Sequence, residues 1–123
     1  MTGRKILAVD DDRSILTFIM ESLMPHGYEV TCASDGEEAI SLLKKESFDG
    51  IVLDFYMPVK DGLDVIGSMY RDKNRTPTIM LSSRLEEHYE AAVQGFGIVR
   101  EVLKKPCTGE KLKDTLERVL GVG

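Results

Sequence analysis

The 123-residue sequence lacks the features that would place it in a membrane, outside the cell or on nucleic acid. No run approaches the roughly 18 apolar residues of a membrane span, and the first residues hold too short an apolar core for a signal peptide. The two cysteines, Cys32 and Cys107, lie far apart without metal-ligand spacing, which favours free thiols in a reduced, cytoplasmic setting. A net charge of −5, with the basic residues scattered, argues against a nucleic-acid-binding surface.

Low-complexity tracts, internal repeats and linkers are also missing from the sequence. Its 42% hydrophobic and 30% charged residues are typical of a soluble globular protein. A chain of this length is large enough for one hydrophobic core and too short for two domains. We therefore expect a single domain over residues 1–123, with no output domain in this chain.

Short apolar segments alternate with helical patterns along the chain. Apolar or β-rich runs predict five strands, and apolar residues at helical spacing predict five helices. The strands are predicted at 5–9, 28–33, 51–54, 78–81 and 99–104, and the helices at 13–24, 36–46, 63–70, 85–96 and 109–120. Regular alternation of this kind predicts an α/β domain with a mostly parallel sheet covered on both faces.

Particular residues support two of these helices. Asp35 is predicted to cap the second helix, with Glu38 reaching back to it from three residues later. The third helix is predicted to bury one side, formed by Leu63, Ile66, Met69 and Tyr70. Both helices would then cover the sheet with apolar faces.

Polar side chains follow four of the predicted strands. Right-handed crossovers bring the carboxyl ends of parallel strands to one edge of the sheet, where ligands bind in open α/β folds. The residues at these ends are Asp10 and Asp11, Asp54, Ser82 and Lys105. Taken singly, each has an ordinary explanation as a turn, cap or surface residue. Their joint placement at one edge instead favours a site.

The residue types at this edge suit phosphoryl transfer. Three carboxylates repel one another unless a cation joins them, and hard oxygen ligands of this kind suit Mg²⁺. Asp54 can then act as the nucleophile that forms an acyl-phosphate. Lys105 supplies a point charge for the phosphate, and the Ser82 hydroxyl supplies one hydrogen bond. We therefore predict that Asp54 accepts a phosphoryl group.

Four segments make the chain similar to the receiver domains of the two-component response-regulator family. They are ILAVDDD at 6–12, DGIVLDFYMPVKDG at 49–62, TIMLSS at 78–83 and VLKKP at 102–106. The resemblance runs from about residue 5 to 120. It implies a single flavodoxin-like (βα)5 domain whose five-stranded parallel sheet has the order 2-1-3-4-5.

The resemblance also implies roles for the residues at the carboxyl edge. Asp54 would be the phosphoacceptor. Asp11 would touch Mg²⁺ directly, Asp10 would act through water, and the backbone carbonyl of Tyr56 would be a further ligand. Ser82 stands at the position of the switch serine or threonine.

Further positions of the motif lie around the fifth strand. Lys105 matches the family's lysine, and its bond to Pro106 would be cis. Val102 occupies a position that is commonly aromatic, so the usual ring movement cannot report phosphorylation here. Tyr56 and Arg84 flank the site, and we predict that they limit water access to the acyl-phosphate.

The implied partners are a histidine kinase or a histidine phosphotransfer protein, which would supply the phosphoryl group from a phosphohistidine. A downstream partner or a second copy would contact the fourth helix, fifth strand and fifth helix. The domain would catalyse only its own phosphorylation and dephosphorylation.

Two alternatives stay open: a small Mg²⁺-dependent phosphohydrolase with an aspartyl nucleophile, and a receiver-like scaffold. The sequence is compatible with a stand-alone regulator and also with a domain of a larger regulator or hybrid kinase.

Overall fold

The computed structural model describes residues 3–83 and 96–121, which form one parallel sheet flanked by helices. All paired strands run parallel, in the order β2-β1-β3-β4-β5, as predicted. The strands are β1 (Lys5–Val9), β2 (Glu29–Ala33), β3 (Gly50–Asp54), β4 (Thr78–Ser82) and β5 (Val99–Lys104). The helices are α1 (Arg13–Leu23), α2 (Gly36–Lys45), α3 (Gly62–Arg71) and a C-terminal helix (Gly109–Leu120), with a 3₁₀ turn at Met24–His26.

The core consists of one apolar cluster on each face of the sheet. One cluster takes side chains from α2 and α3, and the other takes them from α1 and the C-terminal helix. β3 and β4 are buried at every position, which explains why they read as continuous apolar runs. Within residues 3–83 and 96–121, no helix has the length and apolar composition needed to cross a membrane.

Two details of the helices differ from the predictions, and a third prediction stays largely untested. Asp35 does cap α2 by accepting from the Glu38 N–H at 2.7 Å, but the Glu38 carboxylate accepts from the Ser34 N–H instead of from Asp35. Tyr70 is 54% exposed and does not join the buried side of α3, where Val65 is buried instead. Of the predicted fourth helix, residues 85–95 lie outside the described ranges, and Phe96 lies in a turn.

The end of α3 places Lys73 in the left-handed region of backbone conformation, at φ 59°. The Lys73 N–H donates to the Tyr70 carbonyl at 3.1 Å, and the Asn74 N–H donates to the Met69 carbonyl at 2.8 Å. These two hydrogen bonds end the helix at a position that normally carries glycine, because a Cβ is unfavourable in the left-handed conformation. The chain thus carries lysine where glycine would be more stable.

We expect Lys73→Gly to raise the free energy of unfolding by about 1 kcal/mol, because it removes the Cβ from a left-handed residue. For a domain of this size, the gain corresponds to a rise in Tm of about 4 °C. Thermal unfolding of the two proteins measures it. Lys73→Ala is the control, since it removes the same charge but keeps the Cβ. An equal gain in both variants would assign the effect to charge and contradict the backbone explanation.

Candidate functional site

The fold brings the predicted site residues to one edge of the sheet. Asp10 directly follows β1, Asp54 ends β3, Ser82 ends β4, and Lys105 directly follows β5. β3 lies between β1 and β4. Asp54 is therefore at the centre of the edge, with the other groups on both sides of it.

Lys105 joins the two buried carboxylates. Its Nζ donates to Asp10 Oδ2 at 2.8 Å and to Asp54 Oδ1 at 3.0 Å. Asp10 and Asp54 are only 1% and 5% exposed. The backbone helps to place the lysine, since its N–H donates to the Ser82 carbonyl at 2.7 Å. The amine thus compensates two negative charges that are otherwise shielded from water.

Asp10, Asp11 and Asp54 form a cluster of carboxylates. Each offers one oxygen, and these oxygens all lie within 4.8 Å of one another. Asp11 is exposed, so the cluster opens to solvent on its side. Asp12 has a different task, because its carboxylate caps α1 by accepting from the Ser14 N–H at 2.9 Å. The three grouped carboxylates fit a divalent cation that prefers oxygen ligands and retains several waters, as Mg²⁺ does.

The electrostatic surroundings of Asp54 disfavour its ionised form. Burial raises the pKa of Asp54 to about 6, the nearby Asp10 and Asp11 raise it as well, and the hydrogen bond from Lys105 lowers it. For Lys105, burial lowers the pKa, but the bonds with Asp10 and Asp54 outweigh burial and raise it above the ordinary value. Lys105 therefore stays charged while Asp54 is held in an unfavourable ionised state.

We expect Asp54→Asn to stabilise the Mg²⁺-free protein by about 3 kcal/mol at pH 7.5. Because the pKa of Asp54 in the folded protein is about 6, above its ordinary value of 3.8, the wild type loses stability as pH rises through this window. The asparagine variant has no such loss. Denaturant unfolding of both proteins between pH 3.5 and 7.5 tests this prediction. The difference in unfolding free energy should be near zero at the acid end and should reach its full size above about pH 6. Equal stabilities at pH 7.5 would contradict it.

The loop after Asp54 is held closely against the end of β3. The Gly62 N–H donates to the Phe55 carbonyl at 2.8 Å, and a Cβ on Gly62 would lie 2.8 Å from the Asp54 carbonyl oxygen. Only glycine fits at that distance. Asp61 and Asp64 then form a reciprocal capping box at the start of α3. Asp64 was not predicted, although an acid three residues after Asp61 is the same signal that predicted the start of α2.

The remaining predicted residues have mixed outcomes. The Lys105–Pro106 bond is cis, as predicted. Tyr56 is 39% exposed, and its ring lies edge-on to Phe55 at a centroid distance of 5.0 Å. Val102 is half-buried and packs against the cluster under α2 and α3. Arg84 lies outside the described residues, so its predicted effect on water access stays a prediction.

The chain as a whole is similar to known proteins in sequence and in fold. The sequence pattern of the response regulator receiver domain family matches residues 6–117 of the chain. The chain belongs to this family. As a receiver domain, it has the sheet order and the carboxyl-edge cluster that its sequence predicted.

Solved structures resemble this receiver domain over almost its whole length. The chemotaxis protein CheY4 of Vibrio cholerae is 35% identical, with a TM-score of 0.86 over 94% of this chain and 98% of that one. The receiver domain of the sensor histidine kinase PA1611 from Pseudomonas aeruginosa is 30% identical, with a TM-score of 0.86 over 98% and 99% of the two chains. That structure contains a magnesium ion in its active-site cleft.

Longer proteins are also similar to this receiver domain. The alkaline phosphatase synthesis transcriptional regulatory protein PhoP of Bacillus subtilis is 43% identical over 85 residues, which is 69% of this chain and 35% of PhoP. The transcriptional regulatory protein CpxR of Escherichia coli is 43% identical over 83 residues, 68% of this chain and 35% of CpxR. The matched part thus spans about a third of the length of these curated relatives.

Proposed function

We propose that this receiver domain is a signalling switch that accepts a phosphoryl group on Asp54 from a phosphohistidine of a partner protein, with Mg²⁺ as cofactor. The observation that carries the proposal is the position of the Asp54 carboxylate. It is buried at the end of β3, 3.0 Å from Lys105 Nζ and grouped with two further carboxylates. A nucleophile, a metal-binding cluster and a cation for phosphate oxygens are thereby combined in one site.

Mg²⁺ would be held by Asp11, Asp54 and the backbone carbonyl of Tyr56, with Asp10 acting through water. The spacing of the carboxylate oxygens, all within 4.8 Å, supports this assignment. The magnesium ion in the PA1611 receiver domain supports it as well. When bound, the ion compensates the carboxylates and the phosphoryl oxygens, so that one anion can approach another.

In the proposed reaction, one carboxylate oxygen of Asp54 attacks the phosphorus of the phosphohistidine. The oxygen–phosphorus bond forms, the phosphorus–nitrogen bond breaks, and the bonding electrons stay on the imidazole nitrogen. Lys105 moves its hydrogen bond from Asp54 to an oxygen of the transferred group. The Ser82 hydroxyl donates to another of these oxygens. Attack by water on the acyl-phosphate later releases phosphate and restores Asp54.

Two alternatives are less well supported by the site. A phosphohydrolase with an aspartyl nucleophile would need an acid two residues after it, and Tyr56 has no carboxyl group for that task. A scaffold would not need the grouped Asp10, Asp11 and Asp54 or the lysine that joins two of them. The presence of all four residues in one site supports the phosphoacceptor.

The proposed partners follow from the same chemistry. A histidine kinase or histidine phosphotransfer protein would donate the phosphoryl group. The added charge of about −1.5 to −2 would favour inward movement of the Ser82 hydroxyl and so change the surface near β5. This surface, with the C-terminal helix and the predicted helix of residues 85–96, would contact a downstream partner or a second copy of the domain.

One incubation distinguishes the three functions. The protein is mixed with Mg²⁺ and either acetyl phosphate or beryllofluoride, and its mass and fluorescence are recorded, with Asp54→Asn as the control. Stable modification that the control lacks is the result expected for the phosphoacceptor. Rapid release of phosphate without accumulation would indicate the hydrolase, and no response would indicate the scaffold.

A further inference from the structure

A cleft of about 400 Å³ opens at the amino edge of the sheet, between the end of α3 and the turn before β5. Its lining combines cationic, amide and apolar side chains: Tyr70, Arg71, Lys73, Asn74, Arg75 and Ile98. Its volume lies within the range of roughly 300–1,000 Å³ found for small-molecule sites, and its lining is more polar than is usual for them. The three cations stand out because the protein as a whole carries a net charge of −5.

Within the part of the chain that the structure describes, these cations have no acidic partner. Across residues 3–83 and 96–121, none of Arg71, Lys73 and Arg75 forms an ion pair. The acid within this turn, Asp72, is paired with Lys44 at 3.2 Å. The dipole of α3 favours a cation in its last turn, which explains Arg71. It does not explain the two cations beyond the end of the helix, so their clustering needs another cause.

The turn that carries the cations is held in place. The Asn74 side chain accepts from the Thr76 N–H at 3.1 Å and from the Thr76 hydroxyl at 2.6 Å. Lys73 has the left-handed conformation in which glycine would be more stable. A lysine kept at such a position, in the wall of a cleft, indicates a use for its charge.

The remaining walls leave room for a ligand. Gly97 has φ +73°, and a Cβ on it would lie 3.8 Å from Arg75 Nη1, so the guanidinium lies close to this turn. Tyr70 is 54% exposed and packs on Phe96 at a centroid distance of 5.2 Å. With Ile98, this ring gives the cleft an apolar side beside the cations. A ligand that fits would therefore combine negative charge with an apolar or ring portion.

We propose that this cleft binds a small organic phosphate. Arg71, Lys73 and Arg75 hold the phosphate, because guanidinium and ammonium groups are the usual partners of phosphate oxygens. The apolar portion of the ligand lies against Tyr70 and Ile98. The cleft is at the other end of β4 from Ser82, and the four residue steps of this strand span about 13 Å. The cleft therefore shares no residue with the proposed phosphorylation site at Asp54.

The test is a nuclear magnetic resonance titration of Asp54→Asn without Mg²⁺, with inorganic phosphate and with phenyl phosphate as probes. This background prevents phosphorylation of Asp54. We expect the largest amide shifts at residues 70–75 and 97–98, and tighter binding of phenyl phosphate than of inorganic phosphate. Shifts centred on Ser82 and Lys105, or equal affinity for the two probes, would overturn the proposal.

Lys73→Gly separates a binding role from a structural one. In the same background it should weaken phenyl phosphate binding at least about fivefold, because one charged partner is lost, while Tm rises. Loss of affinity in a more stable protein cannot result from misfolding. Lys111→Gln, on the exposed side of the C-terminal helix, is the matched charge control. Unchanged affinity in Lys73→Gly, or an equal loss in Lys111→Gln, would overturn the proposal.

Discussion

Asp54→Asn should take up no phosphoryl group, either from acetyl phosphate or from a phosphorylated histidine phosphotransfer protein. The amide nitrogen and oxygen of asparagine cannot replace the carboxylate nucleophile that forms the acyl-phosphate. The other acids cannot substitute for it easily. Asp10 holds hydrogen bonds from Lys105 at 2.8 Å and from the Asp12 N–H at 2.9 Å, and Asp12 caps α1. Intact mass after incubation measures the uptake.

The folded state of this variant must be verified alongside its loss of phosphorylation. Because Asp54→Asn is expected to be more stable than wild type without Mg²⁺, a loss of uptake cannot be assigned to unfolding. Asp114→Asn, an exposed acid on the C-terminal helix, has the same change in charge and should be phosphorylated like wild type. Uptake by Asp54→Asn at the wild-type rate would contradict the assignment of the phosphoacceptor.

Lys105→Met should slow phosphorylation by about 100-fold, the effect typical of removing one electrostatic partner of a transition state. The same change should tighten Mg²⁺ binding by about tenfold, since Lys105 Nζ now competes with any cation for Asp10 and Asp54. Without Mg²⁺ the variant should lose about 2–3 kcal/mol of stability, because two buried carboxylates lose their counter-charge. Added Mg²⁺ should restore most of it.

Three measurements test this combination. Stopped-flow or quench kinetics gives the phosphorylation rate, a fluorescence titration gives the Mg²⁺ affinity, and denaturant unfolding gives the stability with and without the ion. Lys104→Met, an exposed neighbour on β5, is the matched control and should change none of the three. If Lys105→Met is phosphorylated slowly but binds Mg²⁺ more weakly than wild type, this would contradict the competition between Lys105 and Mg²⁺ for the two carboxylates.

Most of the fold was predictable because its strands are short and the three central ones, β1, β3 and β4, are almost wholly buried. β3 and β4 show continuous apolar runs for this reason, and β5 matches its predicted bounds despite Arg100 and Glu101. The handedness of crossovers then placed Asp54 and Lys105 at one edge without any three-dimensional information. The sequence therefore predicted which residues meet, since topology alone determines this.

The contacts within the site and around the turns were less predictable. No periodicity indicates that Lys105 joins both Asp10 and Asp54, because that depends on side-chain reach across three strands. Tyr70 lies on the apolar spacing of α3 but near its end, where the helix leaves the core and the ring becomes exposed. The left-handed Lys73 breaks the glycine preference of its position, so no turn signal marks it.

Locating the phosphoryl group tests most directly whether Asp54 is the phosphoacceptor. The protein is phosphorylated with acetyl phosphate and Mg²⁺, the acyl-phosphate is reduced with borohydride, and peptides are identified by mass spectrometry. One modified residue is expected, with homoserine in place of Asp54. Modification at Asp10, Asp11 or Asp12 with Asp54 intact, or no modification under conditions that label another receiver domain, would contradict it.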